Sequence, residues 1–133
     1  MRIVFDTNVL IAAFVARGVC RELFEHCFRF HTPIVSDFIL DEFVSTLRRK
    51  FDIPLHEVKS AQRLIIEQAL LVRPPTVLQR VCRDPDDDNI LAAALSGQAK
   101  CLITGDNDLL ILKNYQRVDI IRPGDFWKYE AQQ

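Results

Sequence analysis

Short apolar runs alternate with longer stretches of helical periodicity along the whole chain. Arg2–Phe5 is a mostly apolar run bounded by a polar turn, the pattern of a strand buried on both faces. Residues 8–15 follow as a helix that Gly18 breaks, and residues 19–29 form a second helix with Leu23, Phe24, Cys27 and Phe28 on one face. Thr32–Val35 is the next strand, ending at Ser36. Residues 37–50 carry the stripe Ile39, Leu40, Phe43, Val44 and Leu47, and Pro54 stops that pattern. A further amphipathic helix spans 56–70 and leads to a short strand at 70–73. Asp84-Pro85 has the form of N-cap and first helical residue of a helix running to Leu95 or Ser96, with Gly97 just past its end. Ala99–Thr104 is a strand, Leu109–Leu112 a short helix capped by Asp108, and Val118–Ile121 a last strand closed by Pro123-Gly124. This order predicts a three-layer α/β/α domain over residues 1–133, with a central, mostly parallel sheet of about five strands and right-handed crossovers.

In open sheets of this kind, ligands bind beyond the carboxyl ends of the strands. Asp6, Ser36 and Asp106 follow such ends, and Asp88 lies in the first turn of a helix starting from the same edge. Glu42 is further into its helix, but helical side chains lean toward the N-terminus, so it too can face that rim. Two carboxylates about 4 Å apart repel by roughly 4 kcal/mol at an effective dielectric near 20. No cation is at hand: Arg2 is at the far end of the strand from Asp6, and Glu42 has Phe38, Ile39, Ser45 and Thr46 as helical neighbours. An oxygen-only site of this type suits Mg²⁺ or Mn²⁺.

Each acid also has a plainer reading. Asp6 could cap the following helix, and most helical glutamates are solvated. Acids of a first turn satisfy free N–H groups and the helix dipole, which accounts for Asp84, Asp86 and Asp87. Asp88 comes late for a cap, and Leu91, Ala92 and Leu95 follow it at three, four and seven residues, so it points near the buried face. Asp106 and Asp108 both suit a turn; Asp106 is nearer the strand end and is the better ligand.

The formal charge of −1 over 133 residues implies no strongly basic nucleic-acid surface. Cys20, Cys27, Cys82 and Cys101 form no Cys-x-x-Cys pair, which argues for buried thiols in a reducing, cytoplasmic setting rather than a zinc ribbon. No signal peptide and no membrane-spanning run is expected.

Asp6-Thr7-Asn8, Ser36 with Glu42, Asp88-Asn89-Ile90-Leu91-Ala92-Ala93-Ala94 and Thr104-Gly105-Asp106, in that order, resemble the PIN-domain family over nearly the whole chain. The segments 83–88 and 104–110 resemble a prokaryotic, VapC-like subgroup described as toxins of toxin–antitoxin pairs. The resemblance implies an Mg²⁺- or Mn²⁺-dependent ribonuclease acting on single-stranded RNA, a homodimer, and an antitoxin partner that blocks the rim. It implies Asp6, Asp88 and Asp106 as metal ligands and catalytic residues, with Glu42 a ligand or the group orienting the attacking water. Thr104 and Asn8 would then hold those carboxylates. Arg17 and Arg83 are candidate phosphate contacts beside the rim. Two rivals remain: a catalytically inactive binding module of the same fold, and a receiver-type signalling domain. The receiver needs a lysine ending a late strand and an acid pair after the first, and the chain has neither.

Overall fold

The computed structural model describes residues 1–75 and 80–133. Six strands form one sheet: β1 (Arg2–Phe5), β2 (Thr32–Ser36), β3 (Leu70–Val72), β4 (Cys101–Ile103), β5 (Asn114–Tyr115) and β6 (Val118–Ile121), in the spatial order β3-β2-β1-β4-β6-β5. All neighbours are parallel except β5 with β6. The helices are α1 (Thr7–Val15), α2 (Val19–Phe30), α3 (Asp37–Arg49), α4 (Leu55–Gln68), α5 (Pro85–Ser96), α6 (Asn107–Leu110) and α7 (Phe126–Ala131), the last preceded by a 3₁₀ turn at Pro123–Asp125. The α/β layering and the mostly parallel sheet are those the residue pattern predicts, with one strand more than expected.

That extra strand, β5, is an antiparallel edge. It joins β6 through Gln116 and Arg117, both with positive φ (45° and 75°). Two such residues are the backbone of a tight hairpin turn that Asn-Gly usually marks, and Gln-Arg gives no such cue. The short helix after β4 begins earlier than predicted: Asp106 caps it, accepting from the Asp108 amide at 2.9 Å, so Asp108 is inside the helix rather than its cap. Helix α7 lies in a stretch where only a terminating Pro-Gly was anticipated.

Strand connections run from β1 outward through β2 to β3, then return past β1 to β4. The direction of winding therefore reverses at β1/β4, where the carboxyl ends of two adjacent strands open a crevice. With right-handed crossovers the reversal places α5 on the face opposite α1–α4, and α5 packs on β1, β2 and β4. The core at this switch point is fully buried: Ile3, Val4 and Phe5 of β1, Ile34 of β2, and Cys101, Leu102 and Ile103 of β4. The Asp6 amide continues the β1–β4 ladder by donating to the Ile103 carbonyl at 2.9 Å.

Gly97, at the end of α5, keeps an ordinary helical φ of −86°. Its role is steric, since a Cβ there would lie 2.7 Å from Cδ1 and 2.8 Å from Cγ2 of buried Ile34. Gly97→Ala is expected to cost about 1–3 kcal/mol through this overpacking, seen as a lower urea midpoint with an unchanged slope.

Candidate functional site

A cleft of about 130 Å³ opens at the β1/β4 switch point, lined by Asp6, Thr7, Asn8, Glu42, Thr46, Asp84, Asp86, Asp87, Ile90 and Asp106. At roughly 30 Å³ per water, it holds a few waters or small hydrated ions. Of the acids singled out from the sequence, the fold brings Asp6, Glu42 and Asp106 together here.

Asp6 follows β1 and is buried. It makes no side-chain cap bond to α1. Its Oδ2 instead accepts from the Thr104 hydroxyl at 2.7 Å, across the β1–β4 boundary. That hydroxyl oxygen in turn accepts from the Asp106 amide at 3.0 Å, so one threonine fixes both acids. Burial raises the Asp6 pKa, the Thr104 bond opposes the rise, and the Asp106 charge adds to it. Thr104→Val keeps the shape and removes the bridge, leaving a buried carboxylate oxygen and an amide unpaired. A loss of about 1–3 kcal/mol, measured by chemical unfolding, is expected.

Glu42 projects from α3, where its Oε1 accepts from the Thr7 hydroxyl at 2.6 Å. Thr7, rather than Asn8, holds this carboxylate. Burial pushes the Glu42 pKa up, Thr7 pulls it down, and the charges of Asp86, Asp6 and Asp84 raise it further. Ser36 does not reach the cleft; it caps α3 by accepting from the Ile39 amide at 3.2 Å.

Asp88 is turned away. Its Oδ1 accepts from the amides of Val81 and Cys82 at 3.1 and 2.9 Å, and its Oδ2 lies 3.9 Å from Arg80 Nε. The residue lines a separate, more apolar cavity with Pro74, Leu91 and Leu95. Its geometry is that of an acid holding the loop before α5. The buried carboxylate that α5 delivers to the cleft is Asp87, one residue earlier, with the exposed Asp86 beside it. Burial, the Asp106 charge and a shared hydrogen bond with Asp106 push the Asp87 pKa up to about 7, with Asp6 and Asp84 adding to the effect.

Oxygens of Asp87, Asp106 and Asp108 lie within 4.8 Å of one another. Asp108 is at the exposed edge of this trio and pairs with Arg83 at 2.7 Å, which occupies a cation otherwise available to phosphate. Arg17 is exposed beyond α1. Among the described residues, ion pairs involve Asp37, Asp88, Asp108 and Glu130, and none reaches Asp6, Glu42, Asp87 or Asp106. The negative charge of the cleft is relieved in part by the Thr7 and Thr104 hydroxyls and by the Arg83 charge near Asp106, and protonation or an added cation is needed for the rest. Its all-oxygen donor set fits a hard divalent ion.

An α/β domain with an acidic cleft at its switch point is the class of protein that fold and site define. The PIN-domain profile matches residues 2–108, and the chain belongs to the PIN-domain family. Its fold is similar to a chain of VapBC2 from Rickettsia felis, a complex bound to a DNA fragment from their promoter, at 11% identity and TM-score 0.62, covering 92% of this chain and 98% of that one. It is similar also to a chain of VapBC-1 from nontypeable Haemophilus influenzae, at 18% identity and TM-score 0.62, covering 93% and 99%. No curated protein matches the sequence. Among the described residues no helix is long and apolar enough to cross a membrane.

Proposed function

We propose that the protein is a divalent-metal-dependent endoribonuclease that cuts single-stranded RNA, acting as the toxin of a cytoplasmic toxin–antitoxin pair. The observation that carries this reading is the convergence of Asp6, Glu42, Asp87 and Asp106 with no ion pair to any of them among the described residues, and with Asp87 driven up to about 7 by its neighbours. In the proposed site Asp87 takes the place first assigned to Asp88. Asp6, Asp87 and Asp106 would hold Mg²⁺ or Mn²⁺, which supplies Lewis-acid polarisation of the phosphodiester and a more acidic water.

The chain's own groups do the rest. Thr104 keeps Asp6 and the Asp106 backbone in register. Thr7 leaves Glu42 Oε2 free to receive a hydrogen bond from the attacking water and to orient it in line with the scissile bond. Water attack on phosphorus breaks the bond to the 3′ oxygen and leaves a 5′-phosphate and a 3′-hydroxyl. Among the described residues no histidine lines the cleft, so the imidazole-driven route to a cyclic phosphate has no imidazole acid or base there. Membership of the PIN family and the fold shared with VapBC chains support the toxin reading, with an antitoxin partner and a homodimer as its corollaries.

The test is incubation of purified protein with generic single-stranded RNA. Cleavage is expected with Mg²⁺ or Mn²⁺, to stop with a chelator, to leave 5′-phosphate ends, and to be lost in Asp6→Asn. Cleavage that persists in the chelator, or cyclic-phosphate ends, would contradict the proposal. A folded protein that binds divalent ions without cutting RNA would point to the inactive-module alternative.

A further inference from the structure

A second cluster of metal-ligand side chains lies at the other end of the sheet. His26 of α2, His31 at the entry to β2 and Glu130 of α7 converge there, although 99 residues separate His31 from Glu130. Both Nε2 atoms point at one oxygen, Glu130 Oε2, at 2.7 Å from His26 and 2.5 Å from His31. The three ligand atoms lie within 4.8 Å of one another. Met1 and Thr32 mark this amino edge of the sheet, about 17 Å along β1 from Asp6 at the usual rise per residue, so the cluster is separate from the acidic cleft.

Neighbouring groups hold the rings in place. His26 packs edge-on against Trp127 at 4.6 Å and near Phe30 at 5.1 Å, and His31 packs edge-on against Phe126 at 5.9 Å. His31 Nδ1 faces the Met1 amine at 3.0 Å, which fixes the ring from its other side. Yet the three side chains keep 25%, 12% and 29% of their surface, so an ion and its waters can reach them.

We propose that His26, His31 and Glu130 form a binding site for a borderline divalent transition ion, Zn²⁺ in the first instance, which staples α7 to the α2–β2 junction. Two imidazole nitrogens and one carboxylate oxygen are a common zinc donor set, with a fourth position open to water. Tetrahedral bonds of about 2.0–2.1 Å place ligand atoms roughly 3.3 Å apart, so capture requires the carboxylate to withdraw by roughly 0.6–0.8 Å from the two rings, which the half-buried Glu130 on the last helix can do. Nitrogen donors discriminate against Mg²⁺, and the site therefore selects a different ion from the acidic cleft. Binding at Nε2 moves the proton of each neutral ring to Nδ1; at His31 that N–H then meets the Met1 amine, which must release a proton to accept it, so binding tightens as pH rises.

The experiment is a Zn²⁺ titration of the full chain in excess Mg²⁺, which keeps the acidic cleft saturated, followed by imidazole NMR and thermal unfolding. One equivalent of Zn²⁺ is expected to move the ring resonances of His26 and His31, to leave those of His56 in place, and to raise the melting temperature. Glu130→Gln and His26→Gln are expected to weaken binding by about tenfold or more, whereas Asp106→Asn leaves it intact. Ring resonances that ignore Zn²⁺, or a Glu130→Gln variant that binds as the wild type does, would overturn the proposal and leave the trio a hydrogen-bonded clamp. Because the wild-type spectrum decides the question alone, a variant that failed to fold would not rescue it.

Discussion

Asp87→Asn is expected to abolish RNA cleavage, and Asp88→Asn to leave it near the wild-type rate. The two residues are adjacent, both buried and both in the first turn of α5, so composition and helix dipole are matched between the variants. They differ in direction. Asp87 faces Asp106 and Asp6 across the cleft, and its amide replacement removes one formal ligand charge. A loss beyond the roughly 10–100-fold typical of an outer partner is expected. Asp88 serves two backbone amides, at Val81 and Cys82. An asparagine carbonyl accepts the same two bonds, and its amide group takes the place of an Oδ2 that makes no hydrogen bond and only a long, 3.9 Å contact with the exposed Arg80. Asp88→Ala, by contrast, strands those amides and should cost about 1–3 kcal/mol of stability. Single-turnover cleavage in Mn²⁺ and urea unfolding of all three variants check the assignment. Activity surviving in Asp87→Asn but lost in a folded Asp88→Asn would reverse it.

In metal-free protein the same Asp87→Asn change is expected to be stabilising at alkaline pH. The sign follows from linkage. Asp87 is raised from 3.8 to about 7, so between those values the folded state holds a proton that the unfolded chain has released. Stability then falls as pH rises. This contribution is present in full below about pH 4 and is lost as pH passes through about 7. A shift of this size corresponds to about 4 kcal/mol at 1.36 kcal/mol per unit; screening by solvent in the open cleft reduces it to roughly 2 kcal/mol. Removing the acid should therefore raise the melting temperature near pH 8 by about 5 °C, and by less than half as much near pH 5. Added Mg²⁺ should stabilise the wild type near pH 8 more than the variant, because only the wild type presents the full ligand set. Melting curves in chelator across pH, for wild type and Asp87→Asn, measure the effect. Parallel curves would show that Asp87 carries no repulsion.

Why Asp87 escapes a sequence reading is visible in α5. Ile90, Leu91, Ala92, Ala93 and Ala94 are all buried, so the helix is apolar nearly all round and its phase does not select a facing residue. Asp88 has Leu91, Ala92 and Leu95 on its face, while Asp87 has Ile90, Leu91 and Ala94; both patterns read alike. Only the loop amides at 81 and 82, which claim Asp88, separate the two. Asp6 and Asp106 were legible because Asp6 directly follows one short apolar strand and Asp106 lies three residues beyond another, and the parallel order of those strands dictates that their ends meet. Glu42 was legible through the stripe of α3, but its partner Thr7 was not, since a side-chain bond spanning 35 residues leaves no local trace. The β5–β6 hairpin was hidden by its unusual Gln116-Arg117 turn. Helix α7 was hidden by shortness, because its order comes from Phe126 buried in the core and from Glu130 held by two histidines.

The account rests on divalent ions relieving the repulsion of carboxylates gathered at the β1/β4 switch point. Anomalous diffraction from crystals grown with Mn²⁺ tests it most directly. The expected result is Mn²⁺ in the cleft, bound by Asp6, Asp87 and Asp106 with Glu42 alongside and Asp88 still on the Val81 and Cys82 amides. A cleft without Mn²⁺ at saturating concentration, its acids neutralised instead by an arginine or lysine, would contradict it.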